Sequence, residues 1–285
     1  MTGNMNKTGN PLERGSGAGA IATSWALPSP PVAAAVSDGA ATTGIGEARP
    51  TRTKKFSRTG QWELTHRDMT VLRWLGEMGT ADLRQVGTLL ATMSDQQTIT
   101  MARCRAIVQR WVDLGFTAKK RILADRATCV WLTRAGLDLV GLGGKGGVPG
   151  TASIEHTLGL ADVRLHLRQV GAVSDGQWRS ERLLRASLTC GGIQRQASRK
   201  HVPDAELWLS GSVTALEFER THKGRRIDLI MIELAARYDM TYYIVNRSTR
   251  SLVTSALARL TPNERARFTV RASAQLMPSY LVTGR

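Results

Sequence analysis

The stretch HVPDAELWLSGSVTALEFERTHK, residues 201–223, decides the fold of the second half of the chain. Its apolar and β-branched residues predict two strands, at 205–209 and 213–218, with Gly211 in the turn between them. Strands joined by so short a turn are neighbours in a sheet. The acidic residues of this stretch are therefore expected to lie close together.

Three of these acids carry the candidate chemistry. Asp204 opens the first strand, while Glu217 and Glu219, two residues apart, lie on one face of the second. Carboxylates that converge at one end of a sheet suit Mg²⁺, which takes oxygen ligands and keeps waters for a phosphodiester substrate. We expect Asp204 and Glu217 to hold this ion, which would polarise the phosphate and lower the pKa of the attacking water.

Other residues would complete such a site. Glu219 would orient or deprotonate the water, and Lys223 would stabilise the charge of the phosphorane. His201 or Glu181 would assist. Two other interpretations stay open: a degenerate site that binds DNA without cutting it, and a surface on which the glutamates pair with nearby arginines.

The residues around this hairpin predict a mixed central sheet flanked by helices, in the order α-β-β-β-α-β-α. A long helix at 154–170 carries His156 and His166, which we interpret as structural rather than as metal ligands. The further elements are a strand at 177–181, a helix at 225–237, a strand at 242–245 and a helix at 252–260.

The first half of the chain predicts three helices. Thr65 and Asp68 are placed as the N-cap and first-turn acid of the first helix, and Thr80 can cap the second. A polar turn at 94–98 leads into the third helix, on which Arg103 and Arg110, seven residues apart, share the face opposite the buried one.

A basic hairpin follows, with strands at 116–123 and 128–132, and a helix at 133–142 closes the domain. Three helices and then a hairpin are typical of a winged helix, which is expected to place its third helix in the major groove. The residues expected to contact DNA are Arg103 and Arg110 on that helix, and Lys119, Lys120, Arg121 and Arg126 on the wing. Protein–protein contact is the alternative use of such a module.

The composition favours a polyanionic partner. The chain has 39 Lys and Arg against 23 Asp and Glu, a formal charge of +16 over 285 residues. Such an excess suits nucleic acid, because each neutralised phosphate releases a counterion. No basic segment also has a continuous apolar helix face, so an anionic membrane surface is the weaker alternative. Three separated cysteines, Cys104, Cys129 and Cys190, indicate small buried residues in a reducing cytoplasm.

Composition also sets the expected boundaries. The glycine-rich segment GLGGKGGVPG, residues 141–150, follows a helix and lacks the second lysine of a phosphate loop, so we interpret it as a linker. The expected organisation is a disordered basic tail at 1–58, a winged-helix domain at 59–142, a linker at 143–152 and a nuclease-fold domain at 153–285.

Two resemblances rest on these motifs. Pro203-Asp204 with Glu217-x-Glu219 resembles the PD-(D/E)xK core of restriction-endonuclease-like proteins. Glu219 replaces the lysine of that core. Some nucleases of this fold also use E-x-E, and others take the lysine from the following helix, where Lys223 stands.

Three segments, HVPDA at 201–205, LEFERTHK at 216–223 and LTHRD at 64–68, resemble the actinobacterial replication-relaxation family. The resemblance spans roughly residues 60 to 250 and implies a role in plasmid replication and DNA relaxation.

The sequence thus predicts a DNA-binding protein of a mobile element that acts as a Mg²⁺-dependent nicking endonuclease. The alternative is a non-catalytic winged-helix replication accessory or transcriptional regulator with a degenerate nuclease domain. The expected partners are double-stranded DNA, a relaxase or replication initiator, and a second copy in a homodimer. We expect no membrane association and a cytoplasmic location.

Overall fold

The computed structural model describes residues 64–94, 97–144, 146–190, 201–209, 211–221, 226–280 and 282–283. The tail at 1–58 and Lys223 lie outside these residues. The described part is a mixture of α-helices and β-sheets, consistent with the fold class that the sequence predicts, α/β domains that are α+β overall. No helix within it is long and apolar enough to cross a membrane.

The N-terminal half begins with three helices and continues into a hairpin. Its elements are α1 (His66–Met78), β1 (Ala81–Asp82), α2 (Leu83–Thr92), β2 (Ile99–Thr100), α3 (Met101–Asp113), β3 (Thr117–Lys120), β4 (Cys129–Leu132) and α4 (Arg134–Leu139). β4 lies between β1 and β3 in a three-stranded antiparallel sheet. The strand expected at 116–123 is thus shorter, and the helix expected at 133–142 ends at Leu139.

The start of α1 follows the sequence prediction. The Thr65 hydroxyl accepts from the backbone N–H of Asp68, whose carboxylate accepts from the Thr65 N–H at 2.8 Å, so the two residues form a capping box. Val71, Leu72 and Leu75 recur at helical spacing and are fully buried. The helix therefore forms where capping and apolar periodicity coincide.

The expected cap of α2 is wrong by two residues. Asp82, not Thr80, caps the helix, because its carboxylate accepts from the backbone N–H groups of Arg84 and Gln85 at 2.8 and 2.9 Å. The Thr80 hydroxyl instead donates to the carbonyl of Val130 at 3.0 Å. β1 pairs with β4, and this pairing moves the start of the helix past Thr80.

The C-terminal half is built around a five-stranded sheet. Its elements are α5 (Thr151–Gln169), β5 (Trp178–Ser180), α6 (Glu181–Cys190), β6 (Ala205–Leu209), β7 (Ser212–Glu219), α7 (Arg226–Arg237), β8 (Met240–Val245), α8 (Arg250–Arg259), α9 (Pro262–Arg265), β9 (Phe268–Ala272) and β10 (Val282–Thr283). The expected order lacked α6, α9, β9 and β10. We expected Glu181 to end a strand, but it begins α6.

The sheet has the order β5-β6-β7-β8-β9. β6 runs antiparallel to both of its neighbours, β5 and β7, whereas β7, β8 and β9 run parallel to one another. The prediction of a mixed sheet flanked by helices is therefore confirmed.

Helices cover both faces of this sheet. On one face, the Phe218 ring packs on Gly159 of α5, where a Cβ atom would lie 2.3 Å from the ring. On the other, α7 and α8 pack on Ala215, Tyr243 and Val245. Successive residues of β7 point to alternate faces, so Glu217 and Glu219 share the α7 face with Ala215.

α5 also joins the two halves of the chain. The Gln85 side-chain amide of α2 donates to the Leu158 carbonyl and to the Asp162 carboxylate, both at 2.7 Å. The buried Arg164 donates to Glu77 of α1 at 2.9 Å. Buried polar side chains that pair across elements fix how those elements pack.

Candidate functional site

The strand register brings Asp204 beside β7. Ala205 pairs with Leu216, so the preceding Asp204 lies at the end of β6 next to Glu217. One Asp204 carboxylate oxygen accepts from the backbone N–H of Phe218 at 2.7 Å. The expected proximity of Asp204 to the β7 acids is thus set by backbone pairing.

A histidine from the opposite helix holds Asp204. Nε2 of His156 lies 3.1 Å from the second carboxylate oxygen of Asp204, and the imidazole packs at 5.6 Å from the Phe218 ring. His156 is on α5, so the Asp204 side chain turns past the end of the sheet toward the α5 face. The two residues are 48 positions apart, and no local pattern links them.

Glu217 has a different histidine, on the other face. Nε2 of His201 lies 2.7 Å from a Glu217 carboxylate oxygen. The backbone of His201 is held by α7, since its N–H donates to Glu233 at 3.0 Å and its carbonyl accepts from Arg237 at 2.6 Å. The sequence named His201 as an assisting residue, and the structure gives it direct contact with Glu217.

Glu219 lies on the same face of β7, two residues beyond Glu217. Both Glu217 and Glu219 are 1% exposed. A Glu219 oxygen accepts from the Thr221 N–H at 3.3 Å. Burial raises the pKa of the Tyr243 hydroxyl far above its usual range, and the charges of Glu217, Glu219 and Asp204 raise it further. The charges of the three acids therefore act on the same buried hydroxyl group, that of Tyr243.

Asp204 and Glu217, the two residues expected to hold Mg²⁺, have different partners in the structure. Carboxylate oxygens are the correct type of ligand for Mg²⁺. However, Asp204 bonds to His156 toward α5, whereas Glu217 bonds to His201 toward α7. Among the described residues, no three His, Cys, Asp or Glu side chains are arranged to hold a metal ion. Each of the two predicted metal ligands thus has a histidine partner of its own, and the Mg²⁺ site at Asp204 and Glu217 stays a prediction.

A cleft of about 450 Å³ opens beside Asp204 and His156. Its walls are the end of α1, the glycines of residues 143–144, the first half of α5 and the first turns of α6. Glu181 lines this cleft too, and its carboxylate accepts from Arg185 at 2.7 Å. The cleft is therefore the access route to the Asp204 end of the site.

A second candidate site is the basic surface of the N-terminal half. Arg103 is exposed on α3, and Lys119, Lys120 and Arg121 are exposed at and after the end of β3, as expected for DNA-contacting residues. α3 and β3 pack against each other, so these cations lie on neighbouring elements. Arg105, which the sequence analysis missed, adds an exposed cation on α3.

The structure places the other two predicted DNA-binding arginines elsewhere. The guanidinium of Arg110 lies 2.6 Å from the buried Asp68 carboxylate, which also accepts from the Trp111 indole at 3.2 Å. Arg110 is therefore bound to the N-terminus of α1 and does not lie on an open helix face as expected.

Arg126 lies between the two halves of the chain. Its guanidinium is 3.6 Å from Asp162 of α5 and 3.9 Å from Asp82. Burial lowers the pKa of Arg126, but the nearby charges of Asp162, Tyr280 and Asp82 outweigh burial and raise it above its usual value. Arg126 thus stabilises the junction, and its wing position does not leave it open to phosphate.

Cys104 and Cys129 are buried and unbridged, as expected, and burial raises the pKa of the Cys104 thiol to about 12. Both therefore behave as small core residues.

No protein-family model, curated protein or solved structure matches this chain.

Proposed function

We propose that the protein binds duplex DNA through α3 and the β3–β4 hairpin, and that its N-terminal half acts as a winged helix. The observation that carries the proposal is the exposed basic surface, formed by Arg103, Arg105, Lys119, Lys120 and Arg121. Three helices followed by an antiparallel hairpin match the layout in which a third helix enters the major groove. Cations at these positions would contact phosphates and base edges.

The process in which this DNA binding would serve, and the protein partners, are also proposals. The net charge of +16 favours a nucleic-acid partner. The resemblance to the replication-relaxation family suggests replication or transfer of a mobile element, with a relaxase or replication initiator as protein partner and a homodimer as the assembly.

The two exposed arginines of α3, Arg103 and Arg105, allow a test of base recognition. We expect Arg103→Ala with Arg105→Ala to relax the sequence preference of the protein, because arginine on a recognition helix reads guanine and each such contact discriminates by about 1–3 kcal/mol. The measurement is selection of bound sequences from a random duplex pool. Arg247→Ala with Arg250→Ala, which removes two exposed arginines from the C-terminal half, is the matched control. An unchanged preference in the α3 variant would show that α3 does not read bases.

Mg²⁺-dependent nicking by a PD-(D/E)xK-like sheet is a second candidate function. The observation that favours it is the register that puts Asp204 beside Glu217 at one end of the sheet. In this function Asp204 and Glu217 would hold the ion, Glu219 would orient or deprotonate the water, and Lys223 would stabilise the charge of the phosphorane.

Supercoiled plasmid separates the two candidates. Nicking by the wild type with Mg²⁺ or Mn²⁺, lost in Asp204→Asn and kept in Asp239→Asn, would establish the endonuclease. Asp239 is an exposed aspartate before β8, so its variant controls for the loss of one charge. Plasmid that stays intact with wild type on several DNAs would leave DNA binding as the function.

A further inference from the structure

The cleft beside Asp204 has a size that excludes a duplex. Its volume of about 450 Å³ lies within the range of about 300–1,000 Å³ typical of sites for small ligands. A single nucleotide fits into a volume of this size. A DNA duplex does not, because its major groove alone is about 12 Å wide. Among nucleic-acid ligands, a single unpaired nucleotide therefore matches the size of the cleft.

Most acids of the cleft wall are already neutralised. Glu77 pairs with Arg73 at 3.3 Å and with Arg164 at 2.9 Å. Glu181 pairs with Arg185. The wall therefore does not repel an anion as strongly as its number of carboxylates suggests.

Arg182 differs from the other arginines near the cleft. It lines the cleft and donates to the Gly143 carbonyl at 3.3 Å, but no carboxylate in the described part of the chain pairs with it. Burial lowers its pKa, with no acidic neighbour to offset the effect. A half-buried guanidinium without an acidic partner is stabilised when a phosphate enters, since arginine binds phosphate through two parallel hydrogen bonds.

The opposite side of the cleft offers acceptors. Asp204 is 14% exposed and His156 is 34% exposed, and both face the cavity. A carboxylate oxygen has two lone pairs, so Asp204 can accept from an N–H group of an unpaired base or from a sugar hydroxyl in addition to its contacts with Phe218 and His156. The cleft thus complements a ligand that has an anion at one end and hydrogen-bond donors at the other.

We propose that this cleft binds an unpaired nucleotide, with its phosphate on Arg182 and its base or sugar donors toward Asp204. This goes beyond duplex binding by the N-terminal surface and does not require cleavage. The nucleotide comes from a single-stranded segment of DNA or from a free nucleotide, which share this chemistry.

The test compares three probes on the full-length protein: labelled oligothymidylate of ten nucleotides, thymidine monophosphate, and a duplex of the same length. We expect Arg182→Met to weaken oligothymidylate binding about 10- to 100-fold, as for loss of a charged hydrogen bond, and to leave duplex binding unchanged. Arg259→Met is the matched control, because Arg259 is 54% exposed, is already paired with Asp228 and does not line the cleft.

A second variant blocks the cleft without changing its charge. Thr157 lines the cleft on the surface of α5, so Thr157→Phe should fill part of the space and weaken oligothymidylate binding to a similar degree. Binding of thymidine monophosphate as tight as that of the oligomer would identify a free nucleotide as the ligand. Oligothymidylate binding that is unchanged in both variants, or lost equally with duplex binding, would overturn the proposal.

Discussion

Replacing Lys119, Lys120 and Arg121 together by alanine should lower the affinity for duplex DNA on the order of 100-fold at low salt. All three cations are exposed, and hairpin cations beside a recognition helix contact the DNA backbone. Without these cations, the DNA keeps counterions that binding would otherwise release, so the entropic gain of binding is smaller. The affinity can be measured by fluorescence anisotropy with a labelled duplex.

The matched control removes the same charge from the other half of the chain. Arg247, Arg250 and Arg271 are also exposed, and their triple alanine variant has the same net charge as the hairpin variant. We expect this control to lose a few-fold at most. Equal losses in the two variants would mean that only net charge matters and that the hairpin is not the contact surface.

The second large effect concerns folding. Glu77→Ala should destabilise the protein by about 3–5 kcal/mol, because it leaves a buried charge with only a more distant partner, the Asp175 carboxylate at 3.9 Å. That charge is Arg164, whose side chain is 5% exposed and lies between the rings of Trp74 and Trp178 at 5.5 and 5.3 Å. Thermal or urea unfolding followed by circular dichroism measures the change.

An exposed ion pair provides the comparison. Asp138 pairs with Arg134 at 3.0 Å, and both side chains are more than half exposed. Asp138→Ala should therefore change the free energy of unfolding by less than about 1 kcal/mol. If Glu77→Ala were as mild as Asp138→Ala, the pair of Glu77 and Arg164 would not join the two halves as described.

Local signals predicted the elements better than the contacts between them. The capping box at Thr65 and Asp68 and the apolar spacing of α1 were sufficient to place that helix. The cap of α2 was misplaced because a two-stranded pairing, β1 with β4, positions it. α6 was missed although its residues are amphipathic, since the preceding short strand hid its start at Glu181.

The candidate sites show the same limit. The strand alternation of β7 placed Glu217 and Glu219 on one face, but the turn of Asp204 toward α5 depends on His156, 48 residues away. Helical spacing put Arg110 on the same face as Arg103, and spacing cannot reveal that the buried Asp68 captures its guanidinium. Sequence spacing does not distinguish an arginine that forms a buried ion pair from one that is exposed and can bind phosphate.

The central claim is that the exposed cations of α3 and the hairpin bind duplex DNA. The most direct test is the salt dependence of duplex binding by the wild-type protein. Five cations that each neutralise one phosphate should give a slope of about −4 to −5 in a plot of log affinity against log salt concentration, since each contributes about −0.9. A slope near zero, or no binding at low salt, would contradict the account.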